Sequence, residues 1–233
     1  MQLSIRLETL STLAGTGERA ADVGTDHGMV PIELVRRGAF HRAIASDVRK
    51  GPLAAAGAHV RAAGLADQIE LRLGDGLKVL TPGEADVILI SGMGGALMQR
   101  ILTEGKVAAK SARRLVLSPQ SEIPEFRSFL QNSGYAIIAE KAVFEDGKFY
   151  ILMTVESGEQ EPWEGTERLY GKILLDSGGE VTEAYVRKRK AILQRILRSL
   201  KKAEDPKAEE RRIKTEDELK LTEEALLRLT ETV

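Results

Sequence analysis

The chain has 233 residues, a formal net charge of −1 and no cysteine, which excludes disulfides and thiolate metal sites. Hydrophobic residues make up 42% and charged residues 30%, the balance of a soluble globular protein with room for one α/β domain and a small appendage. No apolar run is long enough to span a membrane, the amino terminus carries no signal-peptide pattern, and the three histidines stand at unrelated spacings. We therefore expect a cytoplasmic protein without a metal site, and the near-neutral charge neither indicates nor excludes a nucleic-acid partner.

As far as residue 133, the chain alternates between short apolar runs and amphipathic segments. A lead-in helix is predicted at 2–14, where leucines share one face. The predicted strands that follow are 19–23, 42–46, 69–73, 85–90 and 114–117. The predicted helices between them are 31–37, 53–63, 96–103 and 122–132. This alternation is typical of right-handed βαβ crossovers and of a parallel sheet covered by helices on both faces.

The pattern changes after residue 133. Segments 135–143 and 149–155 are both strand-like, and Asp146-Gly147 between them is a hairpin-turn signal. Five parallel units followed by an antiparallel hairpin differ from the two mononucleotide-binding halves of a dehydrogenase. We therefore predict an α/β fold, a Rossmann-like class I methyltransferase domain over residues 1–160, with a seven-stranded, mostly parallel sheet that includes an antiparallel hairpin strand.

Beyond about residue 166 the composition becomes helical and highly charged. In segment 181–202 one narrow arc of the predicted helix carries apolar residues, namely Tyr185, Ile192, Ile196 and Leu200. Four basic residues fall on the opposite side, namely Arg187, Lys190, Arg198 and Lys201. A second helix is predicted at 207–231, after Pro206. We predict that residues 166–233 form an antiparallel, coiled-coil-like helical hairpin.

The first loop with chemical character follows the first strand and reads Asp22-Val23-Gly24-Thr25-Asp26-His27-Gly28. An acidic residue two places before a glycine, at the carboxyl end of a strand, begins a loop in which a nucleotide approaches the backbone. The dinucleotide fingerprint requires G-x-G-x-x-G, whereas Asp26 stands where the second glycine would fall. A carboxylate there repels a pyrophosphate but not a cationic sulfonium, which favours S-adenosylmethionine (SAM) over NAD. The alternative is a tight strand-to-helix turn that binds nothing.

Three further loops at predicted strand ends carry acids or glycines. Asp47 stands roughly twenty positions after the glycine loop, where a carboxylate can bind a ribose diol, and a helix-capping role is the alternative. Asp75, between Gly74 and Gly76, either accepts a hydrogen bond from an adenine amine or forms a plain Asp-Gly turn. The loop after the fourth strand, Ser91-Gly92-Met93-Gly94-Gly95, has three glycines, which allow a cofactor to approach its backbone closely, and a flexible loop is the alternative.

The fifth strand is followed by a proline-stiffened loop, Ser118-Pro119-Gln120-Ser121. Gln120 is the candidate contact for a base edge, and Ser121 is predicted to be the N-cap of the next helix. Because the carboxyl ends of parallel strands form one ligand-binding edge, we expect all these loops to meet in a single cleft.

Six segments, taken in chain order, match the sequence pattern of a known family. They are DVGTDHGMVP, ASDVRKGP, LGDGL, ISGMGG, SPQ and EDGKFY. Together with the helical carboxyl-terminal region they resemble the bacterial tRNA (adenine-22-N1) methyltransferase family, called TrmK, over essentially the whole chain. The resemblance implies SAM-dependent methylation of N1 of an adenine in the tRNA core. Family members often have alanine before GMGG and QPN after the fifth strand, whereas this chain has Ser91 and Ser118-Pro119-Gln120, a departure that concerns base recognition.

The resemblance also implies roles for single residues. Asp26 is the implied catalytic residue, which accepts a hydrogen bond from the base amine and stabilises the charge that grows on the ring. The candidate cofactor-binding residues are Asp22, Gly24, Thr25, His27, Asp47, Val48, Gly74, Asp75, Gly76, Ser91, Gly92, Met93 and Gly94. For His27, packing beneath the sheet is the alternative to a role in the site.

The predicted partner is tRNA, bound by a monomer or weak dimer. A base inside folded tRNA must first be unstacked, at a cost of roughly a few kcal/mol, which phosphate contacts help to offset. The candidate cations for those contacts are Arg187, Lys190, Arg198 and Lys201. The alternative is that this basic face is only solvated surface, since Glu204 and Asp205 lie close by.

Two other functions would use the same cofactor residues. One is a SAM-dependent methyltransferase that acts on a small molecule or a protein, and the other is a non-catalytic SAM-binding scaffold. The basic helical region and the family resemblance favour RNA, and the presence of Asp26 with the full glycine set argues against a scaffold. Methyl incorporation into unmodified tRNA would distinguish a tRNA methyltransferase from one that acts on a small molecule or a protein.

Overall fold

The computed structural model describes residues 3–200 and 206–231. The chain divides into two compact units, Met1–Glu161 and Pro162–Val233. The first unit contains one seven-stranded sheet. Its strands are β1 (Gly17–Val23), β2 (Phe40–Asp47), β3 (Ile69–Leu73), β4 (Val87–Met93), β5 (Arg114–Pro119), β6 (Tyr135–Glu145) and β7 (Lys148–Ser157). All seven predicted strands are present, with ends that differ from the predicted ones by a few residues at most.

The strand order is β3-β2-β1-β4-β5-β7-β6. Strands β1 to β5 are parallel, and β7 lies between β5 and β6 and runs antiparallel to both. Ala21 at the centre of β1 lies opposite Ile44 of β2 and Ile88 of β4. The chain proceeds outward from β1 to β3 and then returns to β4, so the loops after β1 and β4 diverge and leave a crevice. This topology confirms the predicted Rossmann-like methyltransferase fold.

Helices cover both faces of the sheet. In the first unit they are α1 (Ile5–Ala14), α2 (Met29–Arg36), α3 (Lys50–Ala62), α4 (Gly95–Glu104), α5 (Lys106–Ser111) and α6 (Ile123–Asn132), with a 3₁₀ turn at Gly76–Val79. The 3₁₀ turn and α5 were not predicted, because segments this short do not show a helical period. The predicted N-cap of α6 was wrong. Glu122 holds that position with a φ of 55°, and Ser121 Oγ instead donates to the Glu122 carboxylate over 3.4 Å.

Helix α1 is anchored to the sheet through its leucines. Leu10 is fully buried in a core cluster with Leu89 of β4 and Leu152 of β7, and Leu7 packs at the margin of the same cluster. Full burial of one such side chain stabilises the fold by about 1.5–3 kcal/mol. The packing fixes α1 on the sheet and brings its first turn to the carboxyl end of β1, where Arg6 and Leu7 line a cavity.

The second unit is helical and consists of α7 (Gly165–Tyr170), α8 (Lys172–Ser177), α9 (Glu180–Leu200) and α10 (Pro206–Glu231). Helices α9 and α10 are antiparallel neighbours, joined by ion pairs from Arg189 to Glu218 at 2.6 Å and from Lys190 to Glu223 at 2.9 Å. A small core includes Tyr170, whose hydroxyl lies 2.7 Å from that of Thr222. Over 3–200 and 206–231, no helix is both long and apolar enough to cross a membrane.

The packed face of α9 differs from the predicted one. The predicted apolar arc, from Tyr185 to Leu200, is only half-buried, whereas Thr182, Val186 and Leu193 are buried. A helix buries the side chains that face its neighbour. On α9 these belong to a stripe that is rotated around the helix axis from the predicted arc. Lys190, predicted on the opposite side, therefore lies at the edge of the packed face and pairs with α10.

Candidate functional site

The loops at the carboxyl ends of β1 to β5 enclose a cavity of about 750 Å³, a volume typical of ligand sites. The cavity lies at the crevice where the strand order reverses. Predicted site residues in its lining are Asp22, Gly24, Thr25, Asp26, His27, Asp47, Val48, Gly74, Asp75, Gly76, Ser91, Gly92, Met93 and Gln120. Gly94 is outside the lining and forms the N-cap of α4. The cavity thus brings together residues from five loops.

Asp22 is a buried carboxylate in this cavity and is only 5% exposed. The hydroxyl of Thr25 donates a hydrogen bond of 2.7 Å to Asp22 Oδ2. Burial raises the pKa of Asp22 to about 6, and this effect exceeds the opposing one of the Thr25 hydrogen bond. An ionised Asp22 is therefore costly in the free protein and favours a cationic ligand at this end of the cavity.

The backbone conformation at position 24 favours glycine over any larger residue. Its φ is 80°, in the left-handed region that favours glycine. A β-carbon at this position would lie 2.2 Å from the terminal methyl carbon of Met93. The end of the Met93 side chain therefore lies against the first loop at Gly24.

Asp26 differs from Asp22 because its side chain is 60% exposed. Its φ is 51°, an unusual backbone conformation for a non-glycine residue, which aspartate tolerates better than most. Asp26 Oδ2 lies 3.4 Å from Nε2 of His27, and the His27 carbonyl is 2.8 Å from Nδ1 of His59. His27 is itself 58% exposed and does not pack beneath the sheet. The loop thus holds an accessible carboxylate at the mouth of the cavity.

The second and third loops each contribute an acid. Asp47 is 5% exposed, and its Oδ1 accepts a 2.7 Å hydrogen bond from the backbone N–H of Arg49, two residues ahead. Asp75 is half-exposed and lies 3.5 Å from an Arg100 nitrogen and 3.7 Å from Lys78 Nζ. Neither of these contacts is a short hydrogen bond. The Asp75 carboxylate can therefore still accept a hydrogen bond from a ligand in the cavity.

The fourth and fifth loops are tied together by backbone contacts. The N–H of Gln120 donates to the Met93 carbonyl over 2.8 Å, and a β-carbon on Gly92 would stand 3.9 Å from Gln120 Nε2. A β-carbon on Gly95 would lie 2.6 Å from the Ser121 carbonyl oxygen, so this approach requires glycine. The glycines of the ISGMGG segment therefore let β5's loop close over the end of β4 and bring Gln120 to the cavity.

Several lining residues were not predicted. Met29 follows the first loop directly, and Leu97 and Ile101 lie on α4 just after the fourth, so proximity in sequence could have indicated them. Arg6 and Leu7 reach the cavity from α1. No local sequence signal could have found them, because their place depends on how α1 packs on the sheet.

The arrangement is suited to a nucleoside that carries a positive charge. Buried Asp22 favours a cation, Asp47 can accept from a ribose diol, and glycines line the space between them. Within the described ranges no cluster of three or more potential ligand side chains could hold a metal ion. Asp26, which is exposed at the mouth of the cavity, offers a second binding position. A molecule held there could accept a group from the bound nucleoside.

The predicted substrate-binding cations belong to the second unit. Arg187 is 66% exposed and pairs with Glu183 one turn away at 2.5 Å, and Lys190 is engaged by Glu223. Arg198 lines a groove between α9 and α10, beside Arg212, and has no ion-pair partner in the part of the chain that the structure describes. Lys201 lies outside the described residues.

A family model described as a methyltransferase domain matches residues 3–153. The tRNA (adenine(22)-N(1))-methyltransferase of Bacillus subtilis is 38% identical over 161 residues, which cover 69% of this chain and 68% of that protein. A Streptococcus pneumoniae protein, a candidate tRNA (m1A22) methyltransferase solved in complex with SAM, superposes with a TM-score of 0.88 at 34% identity and covers 97% of this chain and 100% of its own. The crystal structure of the B. subtilis m1A22 tRNA methyltransferase TrmK gives the same TM-score at 31% identity, with coverage of 97% and 99%.

Proposed function

The chain belongs to the bacterial tRNA (adenine(22)-N1)-methyltransferase family, TrmK, and we propose that it transfers a methyl group from SAM to N1 of adenine 22 in tRNA, with Asp26 as the catalytic residue. The observation that carries the proposal is the pairing, in one cavity, of buried Asp22 and Asp47 with the open carboxylate of Asp26 at the mouth. The buried acids suit the donor, and the open acid suits the acceptor.

The cofactor residues hold the donor and shape its environment. When bound, SAM supplies a methyl group on a cationic sulfonium, which is electrophilic without further activation. Asp22 is assigned to the cationic amino-acid end, Asp47 to the ribose hydroxyls and Asp75 to the adenine amine. The Met93 side chain lines the cavity beside Gly24. Correct alignment of donor and acceptor can lower a barrier by roughly 7–11 kcal/mol, so positioning is the main contribution of these residues.

Asp26 is assigned to the acceptor base. Adenine N1 has a lone pair at neutral pH, so the enzyme requires no strong base before methyl transfer. Asp26 accepts a hydrogen bond from the exocyclic amine, and its negative charge stabilises the positive charge that develops on the ring. Its exposed side chain leaves the carboxylate free to meet a base that enters from outside. Gln120, next to the Ser91-Gly92 backbone, is assigned to another edge of the same base.

Contacts with tRNA phosphates are assigned to the second unit. Arg187 and Arg198 are exposed on α9, and Lys201 follows them in sequence. Lys190 contributes less in this scheme, because Glu223 already neutralises it at 2.9 Å. These phosphate contacts supply salt-dependent affinity that offsets the cost of exposing the base.

The proposal is tested with an unmodified tRNA transcript and SAM labelled in its methyl group. We expect incorporation at adenine 22, mapped by the block that N1-methyladenine imposes on reverse transcription. The matched control is the same transcript with guanine at position 22, which should remain unlabelled. Label at another nucleotide, or label transferred only to proteins or small molecules, would contradict the proposed substrate.

Two further proposals concern the location of the enzyme in the cell and its oligomeric state. Because bacterial tRNA is modified in the cytoplasm, we place the enzyme there, and cell fractionation followed by immunodetection tests this. Each unit carries its own core, and one chain supplies every cavity residue, so we propose a monomer or weak dimer. Sedimentation at micromolar concentration distinguishes it from a stable oligomer.

A further inference from the structure

Arg6 is a cavity residue with no role in the assignments above. It lies in the first turn of α1, outside the five loops at the sheet edge, and lines the cavity together with Asp22. The two charges are close enough to attract each other, and the guanidinium lowers the pKa of Asp22, although less than burial raises it. The same cavity is therefore lined by a cation and an anion.

The 145–150 hairpin turn holds Arg6 in place. Glu145 Oε1 accepts a 3.1 Å hydrogen bond from the backbone N–H of Arg6, and its Oε2 lies 3.8 Å from the guanidinium Nε. The Tyr150 ring covers one face of the guanidinium, with 5.1 Å between the guanidinium carbon and the ring centroid. Glu145 and Tyr150 are the first and last residues of the EDGKFY segment, which does not itself line the cavity.

The guanidinium retains unused hydrogen-bonding capacity. Its side chain is only 21% exposed, and the buried Nε has no hydrogen-bond partner among residues 3–200 and 206–231. The 3.8 Å approach of Glu145 is an ion pair and too long for a hydrogen bond. A guanidinium has five N–H donors arranged in a plane, which match a carboxylate in a bidentate manner.

We infer that Arg6 binds the α-carboxylate of the methionine half of SAM, beside Asp22 for the α-ammonium, and that Glu145 and Tyr150 position it for this. The inference rests on the proposed function and deepens it, because it assigns the amino-acid end of the donor to a zwitterion-binding pair. It also assigns a role to the EDGKFY segment, which is distant in sequence from Arg6 and holds the guanidinium in place through Glu145 and Tyr150. A tRNA phosphate is a less suitable ligand, because the guanidinium is mostly covered and lines the same cavity as the buried Asp22.

The test compares two ligands that differ only in the carboxylate. Isothermal titration measures binding of S-adenosylhomocysteine and of its decarboxylated analogue to the full-length protein. We expect the wild type to prefer S-adenosylhomocysteine by between about tenfold and a hundredfold, as for a charge-assisted hydrogen bond. Arg6→Met should remove most of this preference while it leaves affinity for the analogue within about twofold. Arg61→Met, an exposed arginine of α3 outside the cavity, is the matched control and should keep the wild-type preference.

Two further variants test the positioning role of the hairpin. Glu145→Gln and Tyr150→Leu should each reduce the preference part of the way, because Arg6 remains but is less well oriented. Arg6→Lys should retain a part of it, since lysine keeps the charge but lacks the planar donors. The ratio of the two affinities is taken from one preparation, so loss of folded protein does not imitate the expected result.

Three outcomes would overturn the inference. If Arg6→Met weakens both ligands equally, Arg6 only supports the fold of the cavity. If it weakens neither ligand but lowers affinity for tRNA, Arg6 is a phosphate contact. Both results leave the proposed function standing. If the wild type binds neither ligand, the proposed function itself fails and the inference with it.

Discussion

The two units of this protein treat charge in opposite ways. At the sheet edge of the first unit, Asp22 and Asp47 are each only 5% exposed. On the helices of the second unit, charges lie in solvent and pair with neighbours one turn away, as Arg187 does with Glu183. A buried charge is costly without a partner, whereas an exposed pair contributes little to stability. Buried acids that lack a short ion pair therefore mark the cavity of the first unit, whereas the exposed charge of Arg187 is already neutralised by its neighbour.

The largest expected effect concerns a buried ion pair away from the cavity. Arg127 of α6 and Glu140 of β6 are joined at 2.8 Å, and both side chains are fully buried. Arg127→Ala leaves Glu140 without its main counter-charge, so we expect the free energy of unfolding to fall by about 3–5 kcal/mol. Denaturant unfolding measures the change. Arg187→Ala removes an exposed ion pair and is the matched control. If its free energy of unfolding fell by more than roughly 1 kcal/mol, the expected difference between buried and exposed charges would be contradicted.

The second prediction concerns Asp26, the exposed acid of the cleft. Asp26→Ala should lower the rate constant of methyl transfer by at least about a hundredfold, because the proposed role of the carboxylate is to stabilise charge that develops only during this step. Affinity for S-adenosylhomocysteine should change by no more than about twofold. Single-turnover methylation of tRNA and calorimetry of the same variant measure the two quantities. Equal losses in both would show that Asp26 belongs to cofactor binding and not to catalysis.

The third prediction follows from the raised pKa of Asp22. Burial raises its pKa to about 6, so the folded protein binds this proton more tightly than the unfolded chain does. The free energy of unfolding therefore falls as the pH rises from about 4 to 6. A cationic ligand requires the ionised form. Affinity for SAM should therefore be constant above pH 7 and fall by about tenfold at pH 5. Asp22→Asn should bind more weakly at pH 7 and lose this pH dependence. A wild-type affinity that is flat across the range would contradict the role of Asp22.

The smallest expected effect concerns the exposed charges of α9. Replacing Arg187 and Arg198 by alanine should weaken tRNA binding several-fold and reduce the salt slope by roughly one for each lost phosphate contact. Lys190→Ala should have less effect, because Glu223 holds the lysine. Filter binding at several salt concentrations measures the slopes. Arg36→Ala, an exposed arginine of α2 paired with Glu33, is the control, and an equal loss in that variant would show nonspecific attraction.

The predicted positions of residues agree with the structure at the sheet edge and less well on the helices. Strand ends are set by local signals, and β1, β2, β3, β4 and β5 bring their loops together whatever helices cover them. The loop residues Asp22, Asp47 and Asp75 therefore lie in one cavity, as expected. A long helix offers no such constraint, because its buried stripe depends on the neighbour. The predicted apolar arc from Tyr185 to Leu200 accordingly placed Lys190 on the solvent side of α9, whereas in the structure it pairs with α10.

From the sequence alone followed the alternation of strands and helices, the acids and glycines at the strand ends, and the family. All of these depend on residues close together in the chain. Only the tertiary structure decided that α1 carries Arg6 to the cavity and that Glu145, 139 positions later, holds it there. Contacts across such separations arise from the packing of whole elements, here the leucines of α1 against β4 and β7. Local sequence patterns carry no record of them, because the same leucine spacing is compatible with many positions of the helix.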